Sequence, residues 1–362
     1  MLAGLFSAAT RAAENCPVLV QRALSTMNSA CESTQRNEIC YGHPLLKAEP
    51  RIPAVTLEHV GDRQPVLLIQ TLETAPMDAA QGVWGVALLR LQASLPDALP
   101  GQNITMLVMG QAQVDNAVPL ADEVPVTIRN RANVRQVPST SGAVLRSLAA
   151  STTLSATGST IDRNWVRVRT TDGLQGWIFA ELLSGDLAAV PALETPDLNT
   201  QPMQAFIVRS GIGDAPCAEA PESGVYIQTP QGAGLVQFTV NGVDVSLGSG
   251  LFVQCAQDTT TLYLLYGTGT VRARGVSQKL QPGTRVVVPT ENCQSAQMPP
   301  SLPEAYTNAY PWLRTLGAFT QPGVSIAGPA VVPMVMPSAA PNSQPVPAPT
   351  DEDDEDEDED DD

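Results

Sequence analysis

Few side chains in this chain suit nucleophilic or metal chemistry: two histidines, His43 and His59, and six cysteines. One local pair stands out, Cys40 and His43 in "NEICYGHP". A thiolate activated by an imidazole is the minimal apparatus of a Cys–His peptidase. The competing reading is a disulfide cysteine beside a turn histidine ahead of Pro44. No strand-to-helix elbow supports a nucleophile there, so the second reading is preferred. A zinc hydrolase needs several His or acidic ligands in one cleft, and two histidines are too few for the usual sites. The sequence has no Cys-x-x-Cys pair, zinc-finger histidine spacing, G-x-S-x-G, P-loop or dinucleotide fingerprint. The expectation is a chain that is not an enzyme and uses no cofactor and no metal.

Cys16, Cys31, Cys40, Cys217, Cys255 and Cys293 are instead disulfide candidates. An even number in a low-charge, Thr/Gln/Pro-rich chain favours bridges made in an oxidising compartment. Three lie early and three late, so pairing within each cluster leaves one over on each side. Either a bridge joins the two clusters or two thiols stay free. Residues 12–33, "AAENCPVLVQRALSTMNSACES", carry the helical period, with Val18, Val20, Ala23, Leu24, Met27 and Ala30 on one stripe and Pro17 in the first turn. At ~1.5 Å per residue, Cys16 and Cys31 stand about 22 Å apart on that helix. They cannot bridge each other. Cys40 follows in a turn-like setting and can fold back to either end.

Of the 362 residues, 43% are hydrophobic and 16% charged, a balance that suits low-charge globular domains and is commoner outside the cell than in the cytosol. The 31 prolines argue against long helices. The formal charge is −17, and removing the twelve acidic residues of the terminal "DEDDEDEDEDDD" leaves −5. No basic patch for nucleic acid is present, and the tail repels phosphates. That tail is read as a solvated, disordered, solubilising segment, with weak divalent-cation binding as the lesser alternative. No stretch reaches the ~18 apolar residues of a membrane span. Residues 1–13 read either as the remnant of a longer signal peptide or as a frayed helix end, because the apolar run Leu2–Phe6 is short and no basic residue precedes it.

The expected class is mainly β and multi-domain. Residues 14–122 form a mixed α+β domain, a helix followed by β structure. In it "GVWGVALLRLQASL" and "NITMLVMGQAQV" are apolar on both faces, as buried strands are. Asn103 opens a glycosylation sequon. A small β domain spans 125–186, a linker 187–205, and a β-meander domain 206–292. There Asn241-Gly242 in "LVQFTVNGVDVSL" marks a type I′ hairpin. Residues 293–350 are proline-rich and expected to be mostly disordered, with "PEAYTNAYPWLRTLGAF" as an apolar island able to dock on the body. The acidic tail, 351–362, follows.

The middle segment carries "ANVRQVPSTSGAVLRSL", "LSATG" and "NWVRVRTTDGLQGWIFAELL" in order. It resembles the bacterial SH3 (SH3b) family over Val126–Ser184, about a sixth of the chain. The shared pattern is an N-V-R run, a proline loop, an N-W strand, a D-G turn, a G-W strand and a closing leucine pair. Alternation agrees: Trp165, Val166 and Val168 lead into the Asp172-Gly173 turn, and Leu174, Trp177 and Ile178 return from it. Trp165 and Trp177 are read as core packing of a small closed barrel. The chain has Arg135-Gln136-Val137-Pro138 where family members usually show R-S-G-P, so the loop beside the groove departs from the family's. By chemistry, the ligand-contact candidates are Asn133, Arg135, Ser139, Thr140 and Trp165. The resemblance implies a secreted or envelope protein whose partner is a peptidoglycan peptide or an envelope protein. A structural or regulatory β protein, in which the barrel only packs, is the alternative. A looser resemblance to the FecR-type periplasmic β domain runs over about 236–289, in "VDVSLGSG", "LYGTGTV" and "LQPGTRVVV".

Overall fold

The computed structural model describes residues 16–51, 55–92, 103–118, 123–171, 174–193, 203–211, 214–218, 220–232 and 234–331. The expectations for residues 1–13, the Asp172-Gly173 turn, half of the linker and residues 332–362 lie outside these.

Helix α1 (Cys16–Ala30) opens the described chain and buries Leu19, Val20, Ala23 and Met27. Val18, expected on the buried stripe, is 49% exposed. Leu19 takes its place, because Leu19, Ala23 and Met27 follow one another at the four-residue spacing of a single helix face. Seven strands follow: β1 (Glu38–His43), β2 (Leu46–Pro50), β3 (Arg63–Pro65), β4 (Ile69–Thr74), β5 (Val86–Gln92), β6 (Asn103–Met109) and β7 (Ala112–Asn116). The next seven build the middle domain: β8 (Val124–Ile128), β9 (Ala132–Arg135), β10 (Val144–Leu148), β11 (Thr153–Ser159), β12 (Trp165–Arg169), β13 (Gln175–Phe179) and β14 (Leu183–Gly185). The last group is β15 (Ala205–Ser210), β16 (Gly224–Gln228), β17 (Val236–Val240), β18 (Val243–Ala256), β19 (Thr259–Ala273), β20 (Val276–Leu280), β21 (Thr284–Glu291), β22 (Ser295–Ala296), β23 (Glu304–Ala305) and helix α2 (Tyr310–Leu313).

The mainly β class, with a small barrel in the middle, is the one observed. The flanking β regions do not stand apart as two domains, however. Among the described residues, sixteen strands from both regions share one sheet, in the order β2-β4-β7-β15-β17-β18-β16-β6-β5-β1-β3, with β19 extending it from β18. Two seams join the halves. Strand β7 pairs antiparallel with β15 from Asn116↔Phe206 to Ala112↔Ser210, and β6 pairs with β16 from Met109↔Gly224 to Thr105↔Gln228. Strand period says which face is apolar but not which strand lies alongside, so these long-range pairings were not readable in advance. The middle domain is thus an insertion between two neighbouring strands of one body.

Burial on both faces explains the doubly apolar strands. Ala87, Leu89 and Leu91 of β5 face one core with Val108, Val225, Val253 and Leu262. Val86 and Leu88 face the other, with Trp84, Phe252, Tyr263 and α1. Gly42 lets the helix approach, since a Cβ there would stand 2.8 Å from Met27 Cγ and 2.9 Å from the Val86 carbonyl. At the expected hairpin, Asn241 (φ 52°) and Gly242 (φ 73°) take the left-handed conformations of a type I′ turn. Asn241 does more than turn the chain. Fully buried, it accepts from the Val208 amide at 2.7 Å and donates to the Val208 carbonyl at 3.0 Å and to Thr260 Oγ1 at 2.9 Å.

All six cysteines are bridged, as Cys16–Cys217, Cys31–Cys40 and Cys255–Cys293. Cys16 and Cys31 are not paired with each other, as helix geometry required. The inter-cluster bridge is Cys16–Cys217, which ties α1 to the loop before β16. Within the segment expected to be mostly disordered, the apolar island packs on the body, with Tyr306, Ala309, Trp312, Leu313 and Leu316 buried in its core. Trp312 lies edge-on to Phe252 (5.3 Å) and Tyr263 (5.7 Å), and Tyr306 Oη donates to the Ala327 carbonyl at 2.6 Å. Buried Trp312, Leu313 and Leu316 each contribute about 1.5–3 kcal/mol to this docking.

His43 is 3% exposed, with Nδ1 2.8 Å from the Trp84 carbonyl. Burial lowers its pKa from the ordinary 6.5, the Trp84 bond opposes this, and nearby Arg22 adds to the lowering.

Two outcomes are expected. Replacing residues 119–202 with a short Gly/Ser loop leaves a body that still unfolds cooperatively and still forms Cys16–Cys217, because the loop joins adjacent antiparallel strands; loss of the cooperative transition by circular dichroism contradicts the insertion. The neutral imidazole of folded His43 also makes stability pH-dependent. The contribution is intact above about 6.5, the unfolded value, and is lost as pH falls from there through the lower folded value. Thermal melts across that window should decline in the native chain and flatten in His43→Gln.

Candidate functional site

The middle domain is a path of seven strands, β10-β9-β13-β12-β11-β8-β14, curled round one core. That core contains Val126, Ile128, Ala132, Val134, Leu154, Val166, Val168, Ile178 and Leu183. Side chains alternate along each strand, so Val166 and Val168 point inward while Trp165, Arg167 and Arg169 point outward. On β13, Ile178 faces in; Gln175, Trp177 and Phe179 face out. Trp165 and Trp177, expected in the barrel core, lie on its outer face. The alternation in "WVRVR" and "QGWIF" carries this signal.

The outer face forms two cross-strand rows. In one, Arg135 is opposite Trp177, which is opposite Arg167. In the other, Phe179 is opposite Trp165, the rings meeting edge to face at 5.5 Å. Asn133 lies two residues from Arg135 and so shares this face.

The rows differ in burial. Trp177 is 0% exposed and Arg167 7%, and the Arg167 Nε donates to Thr157 Oγ1 at 3.1 Å. The end beyond them is held by the body: Gln92, at the end of β5, donates to the Gln175 carbonyl at 2.9 Å and accepts from its amide at 3.3 Å. Asn37 Oδ1 in turn accepts from the Gln92 amide at 2.8 Å. Arg169 is ion-paired with Glu123, and burial lowers its pKa from the usual arginine value. At the other end Phe179 and Asn133 are only half-buried.

The remaining candidates serve the loop. Arg135 Nη1 donates to the Gly142 carbonyl at 2.7 Å, closing the segment after β9. Gly142 is packed so closely on Val137 that a Cβ would sit 2.7 Å from Val137 Cγ2, so the tight glycine position of this loop has moved from the family's R-S-G-P to its far side. Ser139 Oγ lies 2.8 Å from Ser141 Oγ, and Thr140 is exposed near the loop tip. Asn133 Oδ1 accepts from Ser147 Oγ at 2.5 Å. The structure therefore brings Asn133, Arg135 and Trp165 onto one face and leaves Ser139 and Thr140 in the loop beyond its Arg135 end. Phe179, unnoticed in the sequence, is the half-buried member of the row and packs on Trp165, which is 9% exposed. An aromatic shelf edged by an amide and a guanidinium can hold an extended peptide, by stacking and by hydrogen bonds to its backbone.

The linker beyond β14 is part of this domain up to residue 193. The Ser159 amide donates to the Pro191 carbonyl at 2.8 Å and the Leu193 amide to the Ser159 carbonyl at 2.8 Å. Val190 is buried in the barrel core.

A family model described as the bacterial SH3 domain matches residues 130–184, and this segment is an SH3b domain. No curated protein and no solved structure matches the chain.

Gln92→Ala removes both hydrogen bonds that tie the body to Gln175, at a cost of about 1–3 kcal/mol for the buried groups left unpaired. Hydrogen exchange at the Gln175 amide should quicken while that of Val166 and Val168, inside the barrel, stays slow. Unchanged exchange at Gln175 would show that the contact does not hold the domain.

Proposed function

We propose that this chain is a non-enzymatic secreted or envelope protein whose SH3b domain binds a wall-derived peptide or a protein segment. The open end of the outer face is the site. The observation that carries the reading is the half-buried Phe179, packed on Trp165 (9% exposed), with Asn133 and Arg135 beside it, on a domain that is a binding module by family. Six arginines against three carboxylates within residues 130–184 favour a ligand with free carboxylates. Three disulfides support an oxidising, extracytoplasmic setting. The non-enzymatic reading is supported by Cys40, the one cysteine near a histidine, being tied to Cys31. Among the described residues, no helix is long and apolar enough to cross a membrane.

One observation favours the second reading, a barrel that only packs: its Gln175–Trp177 end is already covered. Limited proteolysis separates the two. Release of a stable 120–190 fragment weighs for an independent module, and co-digestion with the body weighs for packing.

Purified peptidoglycan should retain the full chain. Phe179→Ala and Trp165→Ala should each weaken retention about 10-fold, in line with ~1–3 kcal/mol for a stacked contact. No retention under conditions that hold an established wall binder would remove the wall ligand from the reading.

A further inference from the structure

Away from the barrel, the ends of β4, β7 and β15 meet in an open groove of about 470 Å3, within the ~300–1,000 Å3 of small-ligand sites. Glu73, Pro76, Gln111, Gln113, Arg209 and Gly211 are among its walls. Leu72, Val114 and Val208 of the same three strands point into the body core. Side chains alternate along a strand, so Glu73, Gln113 and Arg209 point the other way. They stand directly opposite one another in a single cross-strand row, Glu73↔Gln113↔Arg209.

Asp115, two residues along β7 from Gln113, orients two members of this row. Its Oδ2 pairs with Arg209 Nη1 at 2.5 Å, and its Oδ1 accepts from Gln113 Nε2 at 2.8 Å. Among the described residues, Arg209 Nε and Nη2 and Gln113 Oε1 have no hydrogen-bond partner. Nε and Nη2 form one edge of the guanidinium, the fork that meets a carboxylate bidentately. At the far end of the row, Lys47 Nζ lies 3.7 Å from Glu73 Oε2. That is beyond hydrogen-bond reach, and a pair so exposed adds little. The row therefore presents an anion, an amide acceptor and a cation, in that order.

Neighbouring strands lie ~4.8 Å apart, so the row runs about 10 Å from Glu73 to Arg209. An extended peptide of roughly three residues spans the same distance. We propose that this groove binds a short zwitterionic peptide, with its ammonium on Glu73, its carboxylate on Arg209 and a central N–H donating to Gln113 Oε1. Both free termini are read, so a longer peptide reaches one end of the row only. The site lies on the body, apart from the barrel, and does not rest on the SH3b reading.

The test is isothermal titration calorimetry on the full chain at low salt, with trialanine, its N-acetyl form and its C-terminal amide as probes. Trialanine should bind about 10-fold more tightly than either blocked form, as the loss of one charged hydrogen bond implies. Glu73→Gln should bind trialanine and N-acetyl-trialanine alike and still prefer the free carboxylate. Arg209→Gln should lose the carboxylate preference and keep the amine preference. The Glu73 side chain is 40% exposed, so Glu73→Gln carries the test even where Arg209→Gln, which frees Asp115, does not fold. Three outcomes overturn the proposal: no heat of binding with millimolar trialanine, tighter binding of chitotetraose than of trialanine, or both preferences kept in either variant. The last of these places the peptide on the barrel.

Discussion

Everything in this fold hangs on the seam where β7 meets β15. Five residue pairs, from Asn116↔Phe206 to Ala112↔Ser210, join segments nearly ninety positions apart. Closing so long a loop costs entropy that a few hydrogen bonds do not repay alone. The seam holds because both strands bury apolar side chains in the shared core, Ala112 and Val114 from one and Phe206 and Val208 from the other. Asn241 adds a second lock, bonding both backbone groups of Val208 from the neighbouring hairpin. Once the seam is made, the SH3b domain has both its ends in one place and a defined side of the body to lean on.

That leaning shapes the candidate site. A free barrel would present its whole outer face to solvent. Here the Gln92 amide binds the Gln175 backbone as a further strand would, and the face runs from covered at Gln175 and Trp177 to half-open at Phe179 and Asn133. Trp177 keeps its Nε1 buried without a partner, and the body-facing half is therefore held by packing and by Gln92 rather than by the indole. Binding and packing are thus two ends of one surface.

The cross-links follow the same logic. Cys31–Cys40 and Cys255–Cys293 close short segments, 9 and 38 residues apart in sequence. Cys16–Cys217 spans 201 positions and encloses the SH3b insertion, so in the chain-entropy view it removes the most freedom from the unfolded chain, about 5 kcal/mol. It also pins α1, the one long helix among the described residues, to a loop of the far half. The terminal apolar segment does without a cross-link of its own, laying Trp312 and Leu316 on the face that α1 leaves uncovered.

Local physics was legible in the residues. Asn241-Gly242 specified a turn because asparagine and glycine take left-handed angles at less steric cost than other residues. The spacing of Cys16 and Cys31 excluded their bond because a helix has a fixed rise. The order of turn and aromatic positions marked the SH3b segment. Other features are properties of contact between distant segments, which hydrophobic period does not encode. The Cys16–Cys217 pairing and the merging of two β regions into one sheet are of this kind, whereas the apolar run at Tyr306–Leu316 already marked a segment able to dock. The tryptophans lie between these cases. Their face was written in the alternation of "WVRVR", but only the fold showed that an outward indole can be fully buried, as Trp177 is between Arg135 and Arg167 on the neighbouring strands.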